Sequence, residues 1–284
     1  MKKLFTSVIC MTFALTTYAQ ETSVACPVSS GFNQDMITES TAAAPQQRGP
    51  LDTHGSQLIL ATVGEPGIPP SLTITTTNGH EYKFADPSQN NCLTLTRAGE
   101  GNQENNHCTL VVTEGTLTLT QATTPGANKL GFLVVGTNKE NYALTYTAKV
   151  NYTDNTSTGD IALQTGDWGQ SPSDKVYESA RWRVTAGSNP ETGFRGSLCE
   201  QTVNIDATKS VKSVTFKYTI AQEDAWGWGF INIFGITAMT DGSANVNNIA
   251  ADNAAPAVKK YVEDHGIVIE KAGKKFTAVG AQLK

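Results

Sequence analysis

The chain has 284 residues, 17% of them charged, and a formal net charge of −5 with no block of lysine or arginine. That balance excludes the electrostatic footprint of a nucleic-acid binder. Scarce charge beside abundant threonine and glycine speaks against a helical protein and for a secreted all-β one.

Lys2 and Lys3 open the chain, Leu4 to Leu15 is an apolar run too short to span a bilayer, and Thr17-Tyr18-Ala19 supplies small residues around a cleavage point. These are the parts of a secretory signal peptide over 1–19. The mature chain then starts at Gln20, and 20–27 reads as an N-terminal linker. No later stretch has the apolar length of a membrane helix. The expected address is therefore secretion or the outer cell surface, with no transmembrane segment.

Strand-like runs bounded by turn residues follow at 56–63, 71–77, 81–85, 92–97, 108–120, 129–137, 142–153, 158–165, 180–186, 200–206, 211–220 and 229–239. Val214, Phe216 and Tyr218 share one side of their strand, opposite Ser213, Thr215 and Lys217. Strands this numerous need partners on a face and at an edge, which predicts an all-β, antiparallel two-sheet β-sandwich. Between two of them, "NYTDNTS" (151–157) predicts a hairpin turn in which Asp154 or Asn155 takes the left-handed conformation.

Cys10 leaves with the signal, so Cys26, Cys92, Cys108 and Cys199 remain, an even number suited to an oxidising compartment. Folding "LTLTRAGEGNQENNH" about Gly99 to Gly101 brings Cys92 opposite Cys108 as a cross-strand disulfide. Cys26 with Cys199 then follows by elimination, although four cysteines allow three connectivities. Neither the cysteine spacing nor the dispersed His54, His80, His107 and His265 forms a metal motif. No cofactor is expected, and bracing of loop oxygens by calcium is left open.

The stretch "EDAWGWGFINIFGITAM" (223–239) is apolar on both faces from Phe230 onward, as a strand buried inside a sandwich should be. Asn232 within it needs hydrogen-bond partners or marks a bulge. Two readings of the preceding tryptophans compete. In one, Trp226 or Trp228 stacks on a sugar ring while Glu223 and Asp224 accept hydrogen bonds from its hydroxyls. In the other, both indoles cap the core. Trp168, with Asp167 beside it in "TGDWGQSPSD", is a second stacking candidate, or else a plug at the sandwich edge.

Several stretches carry a resemblance: "VSSGFNQDMITES" (28–40), "GIPPSLTI" (67–74), "NNCLTL" (90–95), "GTLTL" (115–119), "AKVNYTDNTS" (148–157), "GDW" (166–168), "ARWRV" (180–184) and "VKSVTF…INIFGIT" (211–237). Together they resemble a β-sandwich module of secreted Bacteroidetes proteins, similar to galactose-binding-like and carbohydrate-binding modules. The resemblance implies a jelly-roll-like sandwich over 28–240 and sugar or glycan recognition, with no catalytic set. It departs where Asn155 stands for the glycine of the usual Asp-Gly-Thr turn. A linker over 241–257 then leads to a small C-terminal β meander over 258–284. That appendage resembles the C-terminal β tails of Bacteroidetes surface proteins, some of which serve type IX secretion.

Three function classes follow: a non-catalytic glycan-binding module, a structural or adhesive surface protein that binds another protein, and a glycosidase. The adhesive class would show an exposed apolar patch or an unpaired edge strand. A glycosidase needs two carboxylates at a set separation. Asp167, Glu178, Glu223 and Asp224 are available, and one of them would have to be buried with a raised pKa beside a cleft. Glycan or surface protein is thus the expected partner.

Overall fold

The computed structural model describes residues 21–39, 51, 56–97, 111–137, 144–169, 172–182, 195–221 and 228–241, together with the backbone of 258–263, 266–271 and 274–277. The expected signal peptide lies outside these residues. The chain divides into two compact units, Met1–Gly242 and Ser243–Lys284. All described regular structure is β.

In the larger unit, β7 (Leu93–Leu95), β15 (Phe230–Thr240), β9 (Lys129–Thr137) and β13 (Arg195–Asn204) lie side by side. They face β8 (Glu114–Leu119), β14 (Val211–Tyr218), β10 (Leu144–Tyr152) and β11 (Ile161–Thr165), also in that spatial order. The chain crosses between sheets from β7 to β8, β8 to β9 and β9 to β10, and again from β13 to β14 and β14 to β15. This alternation is the jelly roll. β12 (Lys175–Trp182), β4 (Gln57–Ile59) and β3 (Ile37–Thr38) extend the first sheet beyond β13, and β3 pairs with β4 in parallel.

Between the sheets, Leu130, Phe132 and Val134 of β9 and Ile231, Ile233 and Ile236 of β15 meet Tyr146, Ala148, Val150, Val214 and Phe216. Phe132 and Phe216 pack edge to face at 5.0 Å. The outer face of the larger sheet is also covered, which explains why β15 is apolar on both sides. Phe234, Leu133, Val135 and Leu198 pack there beneath Ile74 and Tyr82 of the hairpin β5 (Thr73–Thr75) and β6 (Glu81–Lys83), with Phe84, Met36 and Trp168.

Asn232 takes the first of the two roles open to it, and the bulge falls two residues further on. Asn232 is fully buried; its Oδ1 accepts from Thr94 Oγ1 at 2.7 Å and its Nδ2 donates to the Leu51 carbonyl at 3.0 Å. A register shift between Ile233 and Gly235 follows directly. The extra residue reverses the side-chain parity, so Ile231 and Ile233 before it and Ile236 after it all reach the inter-sheet core. At the 151–157 turn Asn155 has φ 65°, the left-handed backbone expected there.

Two expectations are corrected. The segment taken as a linker forms β1 (Thr22–Cys26), paired residue by residue with β15 from Thr22 opposite Thr240 to Cys26 opposite Ile236. Five small or β-branched residues are too short a run for periodicity to reveal. The Cys26–Cys199 disulfide is not made: both thiols are free, as is that of Cys92. In register, Cys26 opposes Ile236, Ile236 opposes Phe132 and Phe132 opposes Gln201, so two strands separate β1 from β13. Three inter-strand steps amount to about 14 Å, twice the Cα separation a disulfide spans. Cys108 lies outside the described residues.

In the smaller unit, β16 (Val258–Glu263), β17 (Gly266–Lys271) and β18 (Lys274–Thr277) form a three-stranded antiparallel meander.

Burial pushes the Cys26 thiol up to about 11 and that of Cys199 to about 12. Both should therefore resist iodoacetamide at pH 8 in the native protein and react fully in denaturant without reductant. Peptide mapping that found either residue in a disulfide would contradict this. Tyr82 and Tyr146 are likewise raised above their ordinary value, chiefly by burial. A folded-state pKa above the unfolded one contributes stability that is complete below the unfolded value and is lost as pH rises. Stability measured by urea titration should thus hold to about pH 9 and fall above it as unfolded-state thiols and then phenols ionise.

Candidate functional site

Trp168 is not an open platform. It is 3% exposed and packs in the outer-face core. Its indole lies against Gly196, where a Cβ would collide with the ring. Its backbone N–H donates to the Gly136 carbonyl at 2.8 Å and its backbone carbonyl accepts from Ser197 N at 3.0 Å, which ties this position to β9 and β13. Asp167 is half-buried and its Oδ1 accepts from Gly169 N at 2.8 Å. Trp228 is half-buried, with the Arg97 guanidinium 5.8 Å from its ring centroid, a cation–π arrangement. Glu223, Asp224 and Trp226 lie outside the described residues.

Glu178 is ion-paired with Arg195 at 2.7 Å and Lys175 at 3.2 Å. The hydrogen bond from Arg195, aided by Lys175, holds its carboxyl below the usual range. A group kept ionised in this way does not act as a general acid at neutral pH.

The structure does open a cleft of about 690 Å³ elsewhere. One wall is the chain from Pro27 to Phe32, containing β2 (Val28–Ser30), the end strand of the smaller sheet beside β8. The other is the run from Lys83 to Asn90, with Leu72 beside it. Gly31 has φ 109° and lies so close to the Thr116 carbonyl that no side chain fits there. Glycine alone lets the first wall turn down onto β8. In the second wall, Phe84 N donates to the Leu72 carbonyl at 2.8 Å, and Asp86 Oδ1 accepts from Ser88 N at 2.9 Å and Ser88 Oγ at 2.8 Å. Those bonds hold the exposed Asp86 carboxyl below its usual pKa. The rim thus carries the Lys83 ammonium, the Asp86 carboxylate, the Gln89 and Asn90 amides and the Ser29 and Ser30 hydroxyls around half-buried Phe32 and Leu72.

A buried carboxylate anchors the second wall. Glu200 on β13 accepts from Tyr82 OH at 2.8 Å and from Asn78 Nδ2 at 2.8 Å, and His80 Nδ1 lies 2.9 and 3.0 Å from its two oxygens. His80 Nε2 faces Glu21 at 3.6 Å, and Glu21 in turn pairs with Lys129. Alternation along β6 turns Tyr82 inward to Glu200 and leaves Lys83 outward at the cleft. The sequence offers no signal for this cluster, since Glu200 lies 120 residues from His80 and shares no motif with it. The cleft walls are similarly remote in sequence, although Val28 to Thr38 and Asn90 to Leu95 fall within the stretches that carry the family resemblance.

Glu200→Ala leaves three donors facing an empty buried site. It should cost about 3 kcal/mol of stability by chemical denaturation, whereas Glu178→Ala at its exposed pair should change stability by less than about 1 kcal/mol.

No protein-family model matches this sequence, and no curated protein matches it. Among solved structures, the chain is similar to the K3 cleaved adhesin domain of Lys-gingipain from Porphyromonas gingivalis W83. The identity is 20%, with 61% of this chain and 95% of that one covered, at a TM-score of 0.27.

Proposed function

We propose that the protein is a secreted or cell-surface, non-catalytic glycan-binding β-sandwich whose ligand lies in the cleft between Pro27–Phe32 and Lys83–Asn90. The cleft carries this reading. Its size falls in the range of small-ligand sites, which pair an apolar floor with a few placed polar groups. Phe32 and Leu72 offer apolar area to the C–H face of a sugar ring. Gln89 and Asn90 can both donate and accept, as sugar hydroxyls do, and Asp86 accepts charge-assisted hydrogen bonds. One ammonium and one carboxylate leave the rim near neutral, suited to a neutral saccharide. This reading assigns the binding residues to the cleft, with Trp168 and Trp228 outside it. No helix among the described residues is long and apolar enough to cross a membrane.

An adhesive surface protein that binds another protein is the second reading. It is favoured by Val24, 69% exposed on the end strand of the larger sheet.

Titration of the mature chain with plant and host oligosaccharides, followed by calorimetry and by amide chemical shifts, tests the first reading. A neutral oligosaccharide should move resonances of Ser29 to Phe32 and Lys83 to Asn90. The double variant Gln89→Ala, Asn90→Ala should weaken binding at least tenfold, about 1.4 kcal/mol, while Trp228→Ala leaves it unchanged. Binding lost in Trp228→Ala but kept in the double variant would return the site to the tryptophan loop. No binding to any glycan by the wild type would favour the protein-binding reading.

A further inference from the structure

We propose that His80 is a proton-operated catch: protonation of its Nε2 joins the β5–β6 hairpin to the N-terminal chain at Glu21 and so seats the second wall of the cleft. The inference rests on the cleft being the ligand site and adds regulation of that site by pH. The two walls stand on unequal footings. The first continues from β1, which pairs with β15 along its whole length, into β2 on β8. The second continues from β6, whose ladder is the three residue pairs of its own two-stranded sheet. β6 packs against β1. There Glu81 N donates to Ser23 Oγ at 2.8 Å, and His80 Nε2 faces Glu21 Oε2 at 3.6 Å. The two chains thus run together from Glu21 beside His80 through Ser23 beside Glu81, and they part at Pro27 and Lys83, where the cleft begins.

The neighbours of His80 fix where its protons sit. Glu200 already accepts from Tyr82 OH and Asn78 Nδ2, so it meets Nδ1 as an acceptor too, and Nδ1 carries a hydrogen in either charge state. The neutral ring therefore turns the Nε2 lone pair toward the Glu21 carboxylate, and the imidazolium turns an N–H toward it. One proton converts a repulsive contact into an ion pair. Among the described residues, the charged groups facing the ring are Glu200 from β13 and Glu21 from the chain entering β1. Lys129 of β9 holds Glu21 Oε1 at 3.2 Å and Asp241, just after β15, at 2.7 Å, which leaves Glu21 Oε2 to His80. On β6 itself Tyr82 OH is turned to Glu200, while Glu81 and Lys83 are exposed. On β12, which meets the hairpin where Thr77 N donates to the Val176 carbonyl, Lys175 and Glu178 pair with each other. At the rim, Ser88 holds the Asp86 carboxyl below its usual range, so it stays ionised while His80 changes state. Histidine changes charge between about pH 5 and 8. Acidification through that range seats the hairpin, and a preformed cleft binds more tightly.

Amide hydrogen exchange of the full chain, corrected for the intrinsic change of rate with pH, reads the seating without any ligand. The amides of Glu81 and of Lys83 to Asn90 should be about threefold to fivefold better protected at about pH 5.5 than at about pH 8, the effect of one partly exposed ion pair. The change should follow the His80 imidazole resonance. Glu21→Gln should remove the response while His80 still titrates, and Lys129→Gln should keep it, since only the ammonium beyond Glu21 is lost. A thermal melt checks each fold; if either variant is unfolded, the wild-type exchange against the His80 titration decides. Affinity for a neutral oligosaccharide, by calorimetry, should rise by the same factor on acidification. The proposal is overturned by wall protection that ignores the His80 titration, by a His80 ring that keeps one charge state across the range, by a response that survives in Glu21→Gln or is lost in Lys129→Gln, or by equal affinity at both pH values. Protection that follows His80 with no glycan bound at either pH would uphold the catch and refute the cleft as a glycan site.

Discussion

The larger sheet must be covered on both faces, and nearly every other feature follows from how that cover is made. Its strand β15 carries Ile231, Ile233 and Ile236 toward the smaller sheet and Phe234 toward the outer hairpin, all fully buried. Each such side chain contributes about 1.5 to 3 kcal/mol of transfer free energy, so neither face can be left to water. The jelly roll supplies one cover. The other is assembled from the β5–β6 hairpin, whose short ladder is separate from the larger sheet's, and the loops around it. Specific polar ties hold it instead: Glu200 grips Tyr82, Asn78 and His80, and the Asn91 side-chain oxygen accepts from Met36 N at 2.8 Å.

That difference explains what was legible in the sequence. Long strands inside the jelly roll, such as Leu144–Tyr152 with its strict alternation of buried and half-buried positions, announce themselves by period. The 151–157 turn was legible because a left-handed residue was needed there and an asparagine stood ready. Two-sided burial of β15 was legible too, but its parity reversal was not, because a bulge is set by neighbouring strands and leaves no period of its own. β13 begins at Arg195, five residues before the run that alternation marks, because Gly196 and Ser197 serve the Trp168 plug and add no apolar period. The outer cover was least visible. Its residues gain their roles from contacts across more than 100 positions, as Glu200 does with His80.

The ambiguity of the tryptophans has the same cause. A tryptophan beside glycines reads equally as a platform or a plug, and the choice depends on what the glycine faces. Gly196, far along the chain from Trp168, leaves the space that the indole fills, so the glycine that matters is not the neighbour in sequence. Cleft residues such as Gln89 and Asn90 have no local signature at all. They become a rim because the buried Tyr82–Glu200 contact fixes β6 and so points the following turn across from β2.

Cleft wall and end strand both arise where the N-terminal chain changes sheets. β1 belongs to the larger sheet and β2 to the smaller, and Pro27 stands between them. Proline has no N–H to give to either ladder, while its carbonyl still accepts from Thr120 N at 2.8 Å. The strand pairing therefore stops at one residue without leaving a donor unsatisfied, and the chain steps across the open side of the sandwich. On one side of that step the edge of β1 is left with Val24 exposed. On the other, Gly31 bends the chain onto β8 and leaves the cleft beside it. A single crossing thus sets both the end strand of the larger sheet and one wall of the cleft.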